Sequence, residues 1–265
     1  MIDVIIPAYN CEKTLARTLA SLQAQTDTNF HVIIVDDCSD QDIKSIVDRF
    51  VNILNITYIR NEYNIGCGMS RQVGIDNSTA KFFTFLDSDD MFMPYTVETF
   101  NSIILENPNI QFIHSYFYQQ IMIENDPALM IMKDGYTWCH GKLYNIEYIN
   151  KFNIRNSPLV KYADDSYFNS MCSELLEMHI VRLPLVLWTN NMDSITRRKD
   201  SVRDKTAIMD LLNALYLSTS HILQYKDNIV HLERTLNEIS KRKEEFNEDE
   251  IELYKKLYQY IRKEK

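Results

Sequence analysis

The sequence lacks both of the glycine-rich motifs by which many proteins bind nucleotide phosphates. Only five of its 265 residues are glycine, and neither GxGxxG nor GxxxxGK followed by Ser or Thr occurs. Both motifs depend on their glycines, because the backbone there approaches the phosphates closely. Neither the dinucleotide-binding fingerprint nor the P-loop therefore applies to this chain.

Cysteine is scarce and follows no disulfide or zinc-binding pattern. The chain has five cysteines and no CxxC pair. The cysteines are Cys11, Cys38, Cys67, Cys139 and Cys172. An odd number of dispersed thiols is typical of reduced cysteines in a cytoplasmic protein.

Long apolar runs and an excess of positive charge are also missing. No run approaches the roughly 20 residues that a membrane-spanning helix requires. The chain enters an apolar strand at Ile2, so we expect no secretory signal peptide at its start. A net charge of −9 disfavours broad contact with nucleic acid or anionic membrane. We expect a soluble, cytoplasmic protein and leave open peripheral attachment to the inner face of the membrane.

Short apolar strands alternate with helical segments over most of the chain. The strands are expected at 4–7, 31–35, 56–59, 82–86, 110–115 and 180–188. This alternation is typical of parallel βαβ units and predicts an α/β protein with a Rossmann-like, open, mostly parallel sheet flanked by helices. From about Asp204 onward glycine and proline disappear, and the pattern predicts a C-terminal helical extension at 204–265.

The strongest functional signal is an apolar run that ends in a group of carboxylates. The run 82–86 is followed by Asp87, Ser88, Asp89 and Asp90. Open α/β sheets bind ligands at the carboxyl ends of their strands, and crowded carboxylates are tolerated most easily around a cation. Mg²⁺ or Mn²⁺, completed by substrate phosphate oxygens, is the simplest occupant. A solvated loop is the alternative, since Asp and Ser are common turn formers.

Two other expected strands also end in polar residues. Tyr9 and Asn10 follow the first strand, and Asp36 and Asp37 follow the second. Tyr9 could stack on a base, and Asp37 could accept a hydrogen bond from a base or a ribose. Taken singly, Tyr9 could be an aromatic at the core edge and Asp37 a helix cap. Neighbouring strand ends share one crevice, so we expect the polar residues after the first two strands to lie close to 87–90. Three polar strand ends in one crevice favour a site for a nucleotide and a metal.

Together these stretches resemble glycosyltransferase family 2, whose members have the nucleotide-sugar-binding GT-A fold. The matching stretches occur in the family's order over about residues 1–200. They are 4–10, 35–40, 64–66 with Arg71, 85–90, 138–144 and 164–168. Together the six stretches are specific for this family, whereas taken singly only 87–90 is a strong indication of it. The resemblance implies a GT-A catalytic domain at 1–203, and the helices after it do not belong to the shared core.

The resemblance implies a role for particular residues in holding the nucleotide sugar. The implied donor-binding residues are Pro7, Ala8, Tyr9, Asn10, Asp37, Gly66, Arg71, Asp87 and Ser88. Uracil or another base would lie on Tyr9, and Arg71 would face the nucleotide pocket or the diphosphate. A surface salt bridge is the alternative for Arg71.

The resemblance also implies the metal ligands and the catalytic base. Asp89 would bind Mn²⁺ or Mg²⁺ directly, and Asp87 would contact both the ribose and the metal. Asp165 would be the catalytic base, with Asp164 as the second candidate. The alternative for this acidic pair is a favourable charge at a helix N-terminus. A third metal ligand is not assigned, because Asn190 and Asn191 stand where the family sometimes has His.

The implied reaction is an inverting, metal-dependent transfer from a nucleotide diphosphate sugar, expected to be a UDP-sugar, to an acceptor hydroxyl. The sugar would be a hexose or an N-acetylhexosamine. The acceptor could be a glycan, a lipid-linked glycan, a teichoic-type polymer or a protein. Trp138 and His140 are candidates for the acceptor pocket, although a structural role for His140 is the alternative, since no second His or Cys stands at metal-ligand spacing.

Two other functions are compatible with part of the pattern. A phosphatase or phosphotransferase could use Asp87 and Asp89, but the Thr or Val usual after such a pair is absent. A catalytically inactive scaffold that binds a sugar nucleotide is the other, and the presence of both Asp89 and Asp165 speaks against it. The C-terminal helices could pack on the catalytic domain or join subunits of a homo-oligomer.

Overall fold

The computed structural model describes residues 1–123, 126–160 and 164–189, together with helical positions at 248, 251, 252, 255 and 259. The remainder of the predicted extension at 204–265, its boundary at 203, and Asn190 and Asn191 lie outside the described residues. Within the described part, nine strands form one sheet.

The six predicted strands are all present, and short helices connect them. The strands are β1 Ile2–Ala8, β2 Phe30–Asp36, β3 Ile56–Arg60, β4 Phe82–Phe85, β5 Met91–Phe92, β6 Phe112–Ile123, β7 Asp126–Met132, β8 Lys142–Asn145 and β9 Met178–Trp188. Their order in the sheet is β3-β2-β1-β4-β8-β6-β9-β5, and β7 pairs with β6. The helices are α1 Leu15–Gln23, α2 Lys44–Val47, α3 Cys67–Asp76, α4 Thr96–Glu106, α5 Ile146–Lys151 and α6 Asp164–Leu175. No helix among the described residues is long and apolar enough to cross a membrane.

The parallel part of the sheet is covered on both faces. β3, β2, β1 and β4 run parallel, and Ile5 of β1 lies beside Ile33 of β2 and Phe85 of β4. Alternate residues of β1 point to opposite faces, where α1, α2 and α4 pack on one side and α3, α5 and α6 on the other. Burial on both faces is the reason why these strands are apolar without alternation. Each fully buried side chain such as Leu19 contributes about 1.5–3 kcal/mol.

The strand directions bring several chain segments to one edge of the sheet. β1, β2, β3 and β4 are parallel, so their carboxyl ends lie together. β8 is antiparallel to both β4 and β6, and β9 is parallel to β6. β6 and β9 therefore run in the same direction as β4, and Thr189, which follows β9, reaches the same edge as Asp87. We call this the ligand edge.

Candidate active site

At the ligand edge, side chains of Asn10 and Asp40 join the ends of β1 and β2. The backbone N–H of Asn10 donates to Ser39 Oγ at 3.0 Å, and its side-chain Nδ2 donates to Asp40 Oδ2 at 3.0 Å. Asp40 N donates in return to Asn10 Oδ1 at 2.9 Å. Asn10 has φ of 47°, a left-handed conformation that Asn tolerates. Its neighbour Tyr9 is 45% exposed, so its ring is open to a stacking partner.

Asp36, the first of the two carboxylates after β2, is a structural residue. It is completely buried and accepts hydrogen bonds from Tyr58 Oη at 2.5 Å, from Ser39 N at 2.9 Å and from Arg60. Burial raises the pKa of Asp36, but these hydrogen bonds outweigh that effect and hold its pKa below the ordinary value. Asp36 therefore remains charged and holds the end of β3.

Asp37 holds the loop that leads into α3. Its Oδ1 accepts from Asn61 Nδ2 at 2.9 Å and from Ile65 N at 2.8 Å, and its Oδ2 accepts from Gly66 N at 2.8 Å. Gly66 has φ of 89°, a conformation that other residues rarely adopt. Asp37 does not cap α2, whose N-cap is Ile43, so the helix-cap alternative is wrong. Two predicted donor-binding residues, Asp37 and Gly66, are thus in direct contact.

Asn61 is a site residue that the sequence analysis missed. It donates to Asp37 Oδ1 at 2.9 Å and to Ser70 Oγ at 3.1 Å, so it joins the end of β2 to α3. The signal was present, because Arg60 and Asn61 lie at the end of β3 just as Asp36 and Asp37 lie at the end of β2. Polar residues at the carboxyl ends of parallel strands are candidates for ligand binding, and this criterion also selects Arg60 and Asn61.

Arg71 lies at the centre of the site. Its guanidinium donates to Asp87 Oδ1 at 2.6 Å and to Asp164 Oδ2, and it stands over the Phe85 ring at 5.6 Å. The side chain is buried, so the surface salt-bridge alternative is wrong. Burial disfavours the positive charge of Arg71, but the anionic groups around the guanidinium raise the pKa of Arg71 well above the ordinary value. Arg71, which lies on α3, therefore connects the carboxyl end of β4 to the start of α6.

The start of α6 supplies two carboxylates with different environments. Asp164 is buried against Arg71, and the absence of a side chain at Gly68 makes room for it, since a Cβ there would lie 2.6 Å from Asp164 Cβ. Asp165 is partly exposed, and its Oδ1 accepts from Ser166 N at 2.7 Å. Desolvation, reinforced by the charge of Asp164, raises the pKa of Asp165 to about 6. Asp165 is therefore a stronger base than an ordinary aspartate.

In the 87–90 loop the last three residues, Ser88, Asp89 and Asp90, are anchored by other segments. Asp90 is buried; its Oδ1 accepts from Thr189 N at 2.8 Å, and its Oδ2 lies 2.9 Å from His140 Nε2. Burial raises the pKa of Asp90 to about 6. The main-chain oxygens of Ser88 and Asp89 accept hydrogen bonds from α1. Asp90 therefore orients the loop.

The oxygen atoms of this loop are suited to a hard divalent cation. Asp87 and Asp89 stand two residues apart at the ligand edge, and both are partly exposed. Burial disfavours the charge of Asp87, but Arg71 and His140 outweigh it and lower the pKa of Asp87. Asp87 is therefore ionised, as a ligand of Mg²⁺ or Mn²⁺ must be.

Cys139 and His140 lie directly behind Asp87. A carboxylate oxygen of Asp87, Cys139 Sγ and a ring nitrogen of His140 lie within 4.8 Å of one another. The expectation that no second His or Cys stands at metal-ligand spacing from His140 is therefore wrong, because Cys139 lies close enough to share a metal ion with it. Burial raises the pKa of the Cys139 thiol well above its ordinary value, and a protonated thiol is a poor ligand.

The two acceptor-pocket candidates differ in exposure. His140 is 8% exposed, and its ring lies 5.1 Å from the rings of both Phe117 and Trp188. With its hydrogen bond to Asp90, this is the environment of a structural histidine. Trp138 is partly exposed and contacts Trp188 at 5.4 Å. Of the two candidates, Trp138 is the more exposed.

Comparisons with known proteins find relatives among the glycosyltransferases. The chain matches the model of glycosyl transferase family 2 over residues 3–174. It is 43% identical over 114 residues to an uncharacterized glycosyltransferase of Haemophilus influenzae, which covers 43% of this chain and 38% of that protein. It is 30% identical over 117 residues to the UDP-Glc:α-D-GlcNAc-diphosphoundecaprenol β-1,3-glucosyltransferase WfgD of Escherichia coli, covering 44% of this chain and 46% of WfgD.

TarS of Staphylococcus aureus is similar in both sequence and structure. This poly(ribitol-phosphate) β-N-acetylglucosaminyltransferase is 29% identical over 178 residues, covering 63% of this chain and 31% of TarS. The crystal structure of TarS 1–349 with UDP-GlcNAc superimposes with a TM-score of 0.69 at 22% identity, over 81% of this chain and 65% of that one. This likeness shows the GT-A fold. The chain spans less than half the length of these curated relatives.

Proposed function

The chain belongs to glycosyl transferase family 2, and from that premise we propose that it transfers a sugar from a UDP-sugar to an acceptor hydroxyl with inversion. The observation that carries the proposal is the meeting of Arg71, Asp87, Asp164 and Asp165 at the ligand edge. The relatives WfgD and TarS, both named as β-glycosyltransferases, support it. The complex of TarS with UDP-GlcNAc supports a UDP-sugar donor.

The nucleotide would lie over the ends of β1 and β2. Tyr9 offers an exposed ring on which uracil can stack, and Pro7 and Ala8 form the buried strand end beside it. Asp37 Oδ2 accepts one hydrogen bond from Gly66, which leaves it able to accept another from the base or the ribose. Asn10 and Gly66 keep these two strand ends in place.

The 87–90 loop would hold the diphosphate end of the donor. We propose that Asp89 and Asp87 hold Mn²⁺ or Mg²⁺ and that Ser88 contributes to the donor site. When bound, the cation supplies positive charge that stabilises the leaving diphosphate. Arg71 offsets part of the negative charge of Asp87 and Asp164, which reduces the repulsion that these carboxylates exert on an anionic ligand.

Asp165 would accept the proton of the attacking hydroxyl. The acceptor oxygen forms its bond to the anomeric carbon as the bond to the diphosphate oxygen breaks, and the bonding electrons leave with the UDP. The proton moves to Asp165, whose pKa of about 6 leaves it deprotonated at neutral pH. Asp164 is the poorer candidate, because Arg71 already shares its carboxylate. Direct displacement converts an α-linked donor into a β-linked product.

The acceptor class stays open among a glycan, a lipid-linked glycan, a polymer and a protein. The named relatives differ on this point, since WfgD acts on a diphosphoundecaprenol-linked sugar and TarS on poly(ribitol phosphate). In our proposal Trp138 lines the acceptor side. His140 acts on the loop through Asp90.

A donor screen with the purified protein tests the proposal. UDP-glucose, UDP-GlcNAc and further nucleotide sugars are incubated with Mn²⁺, and mass spectrometry follows the release of UDP. Transfer or slow hydrolysis of one donor is expected. Release of phosphate from simple phosphoesters would instead support the phosphatase, and binding of a donor without turnover would support the inactive scaffold. An α-linked product would overturn the inverting mechanism.

A further inference from the structure

Two residues distant in the chain hold the carbonyl group of Asp89. Arg17 of α1 donates through Nη2 to Asp89 O at 2.8 Å and to Thr189 Oγ1 at 2.9 Å. Thr189 Oγ1 donates to the same Asp89 oxygen at 2.5 Å. Arg17, Thr189 and the Asp89 carbonyl therefore form a closed triangle of hydrogen bonds, which we call the Asp89 clamp.

The residues on either side of Asp89 are anchored from the same two elements. Thr18 of α1 donates through Oγ1 to Ser88 O at 3.0 Å. Thr189 N, at the end of β9, donates to Asp90 Oδ1 at 2.8 Å. Three consecutive residues of an irregular loop are thus held by one helix and one strand end, both rigid elements of the fold.

Fixing the Asp89 carbonyl has a direct effect on the Asp89 side chain. The carbonyl carbon and Cβ of Asp89 are bonded to the same Cα, so a peptide group that is held in place restricts the direction in which the side chain leaves the backbone. Ligand sites need their side chains within about 0.5 Å of the productive position, and supporting hydrogen bonds supply that precision. A hydrogen bond from a charged guanidinium is among the stronger ones available.

We propose that Arg17 and Thr189 are positioning residues that hold Asp89 for the divalent cation of the nucleotide sugar. The inference rests on the proposed function, since it takes Asp89 as a metal ligand. Neither residue touches the donor or the acceptor in this role. Both act through the backbone of residue 89, and neither was singled out by the sequence motifs.

Two variants of Thr189 separate the hydroxyl from the rest of the residue. Thr189→Val removes Oγ1 at nearly constant volume and keeps the amide that bonds Asp90, whereas Thr189→Ser keeps both groups. Mn²⁺ binding in the presence of UDP is measured by electron paramagnetic resonance, and UDP binding without metal by calorimetry. We expect Thr189→Val to weaken Mn²⁺ binding by about tenfold and Thr189→Ser to stay within about twofold of wild type.

A variant of Arg17 tests the same inference at the second donor of the Asp89 clamp. Arg17 is exposed, so Arg17→Met should fold normally, and we expect it to weaken Mn²⁺ binding by about the same factor. Arg155→Met is the matched control, since Arg155 also donates to a backbone carbonyl, that of Ile154 at 2.8 Å, but outside the 87–90 loop. The control should bind Mn²⁺ as wild type does.

The outcomes distinguish this inference from the proposed function. If the wild type binds Mn²⁺ with UDP and the Arg17 and Thr189 variants bind it equally well, the clamp does not position Asp89, and the proposed function stands. If Thr189→Val loses metal-free UDP binding in the same proportion as Mn²⁺ binding, the hydroxyl is merely structural and the inference is wrong. A wild type that binds UDP without any effect of Mn²⁺ overturns both the clamp and the metal assignment.

Discussion

Asp164 and Asp165 are adjacent in the chain, yet Arg71 donates to Asp164, while Asp165 Oδ1 accepts from the backbone N–H of Ser166. Among the described residues, an ion pair is found for Asp164 but not for Asp165. The two carboxylates therefore have different chemistry. Asp164 is part of the charge network that holds α3, α6 and the end of β4 together. Burial raises the pKa of both carboxylates, that of Asp165 to about 6, and only Asp164 shares its charge with Arg71 through a hydrogen bond.

Replacing Asp165 by Asn should lower turnover by about 10²–10⁴ while leaving donor binding within about twofold, because an amide cannot accept the acceptor proton. Initial rates and UDP-sugar binding by calorimetry measure the two effects separately. Asp164→Asn is the paired variant, and it should lower the free energy of unfolding through the loss of a charged partner for Arg71. Turnover near wild type in Asp165→Asn would move the base assignment to another residue.

The activity of the wild type should rise with pH through a midpoint near 6. Burial raises the pKa of Asp165 to about 6, and only the deprotonated carboxylate accepts a proton. Activity should therefore be nearly complete at neutral pH and should fall as the pH drops through the midpoint. Rates at saturating donor between pH 5 and 8 measure this. A rate that stays constant down to pH 5 contradicts the prediction.

Replacing Arg71 by Met should lower the free energy of unfolding by about 3–5 kcal/mol, because Asp87 and Asp164 would lose the buried partner of their charges. Denaturation by urea measures the loss. The control is Lys44→Ala, which breaks an exposed ion pair with Asp48 and should change stability by no more than about 1 kcal/mol. Equal effects of the two changes would show that the Arg71 network adds nothing beyond a surface pair.

Replacing Gly68 by Ala should force α3 and α6 apart, since its Cβ would lie 2.6 Å from Asp164 Cβ. Overpacking of this kind costs about 1–3 kcal/mol of stability, and the shift of α6 should also lower turnover. Gly66→Ala is the comparison. It has no atom within 4 Å of the added Cβ but carries φ of 89°, so it should lower stability without moving Asp164. Wild-type turnover in Gly68→Ala would contradict the predicted shift of α6.

Much of the fold is predictable from sequence because its parallel strands are buried on both faces. The strand predicted at 82–86 is an apolar run with polar residues directly after it, and β4 covers Phe82–Phe85. The β6–β7 hairpin was not predicted. Its outer part exposes apolar side chains such as Met122, Ile123 and Leu129, so no alternation of apolar and polar residues marks the strands there.

The amino-acid sequence by itself determined the strand ends on which the site is built. Tyr9, Asp37 and Asp87 follow apolar runs, and parallel strands must bring such ends to one edge. Only the tertiary structure decided which side chains meet there. Arg71 reaches Asp164 at a separation of 93 residues, and Arg17 reaches Thr189 at a separation of 172. Contacts of this kind depend on how helices pack against the sheet, and neither local propensity nor periodicity encodes that packing.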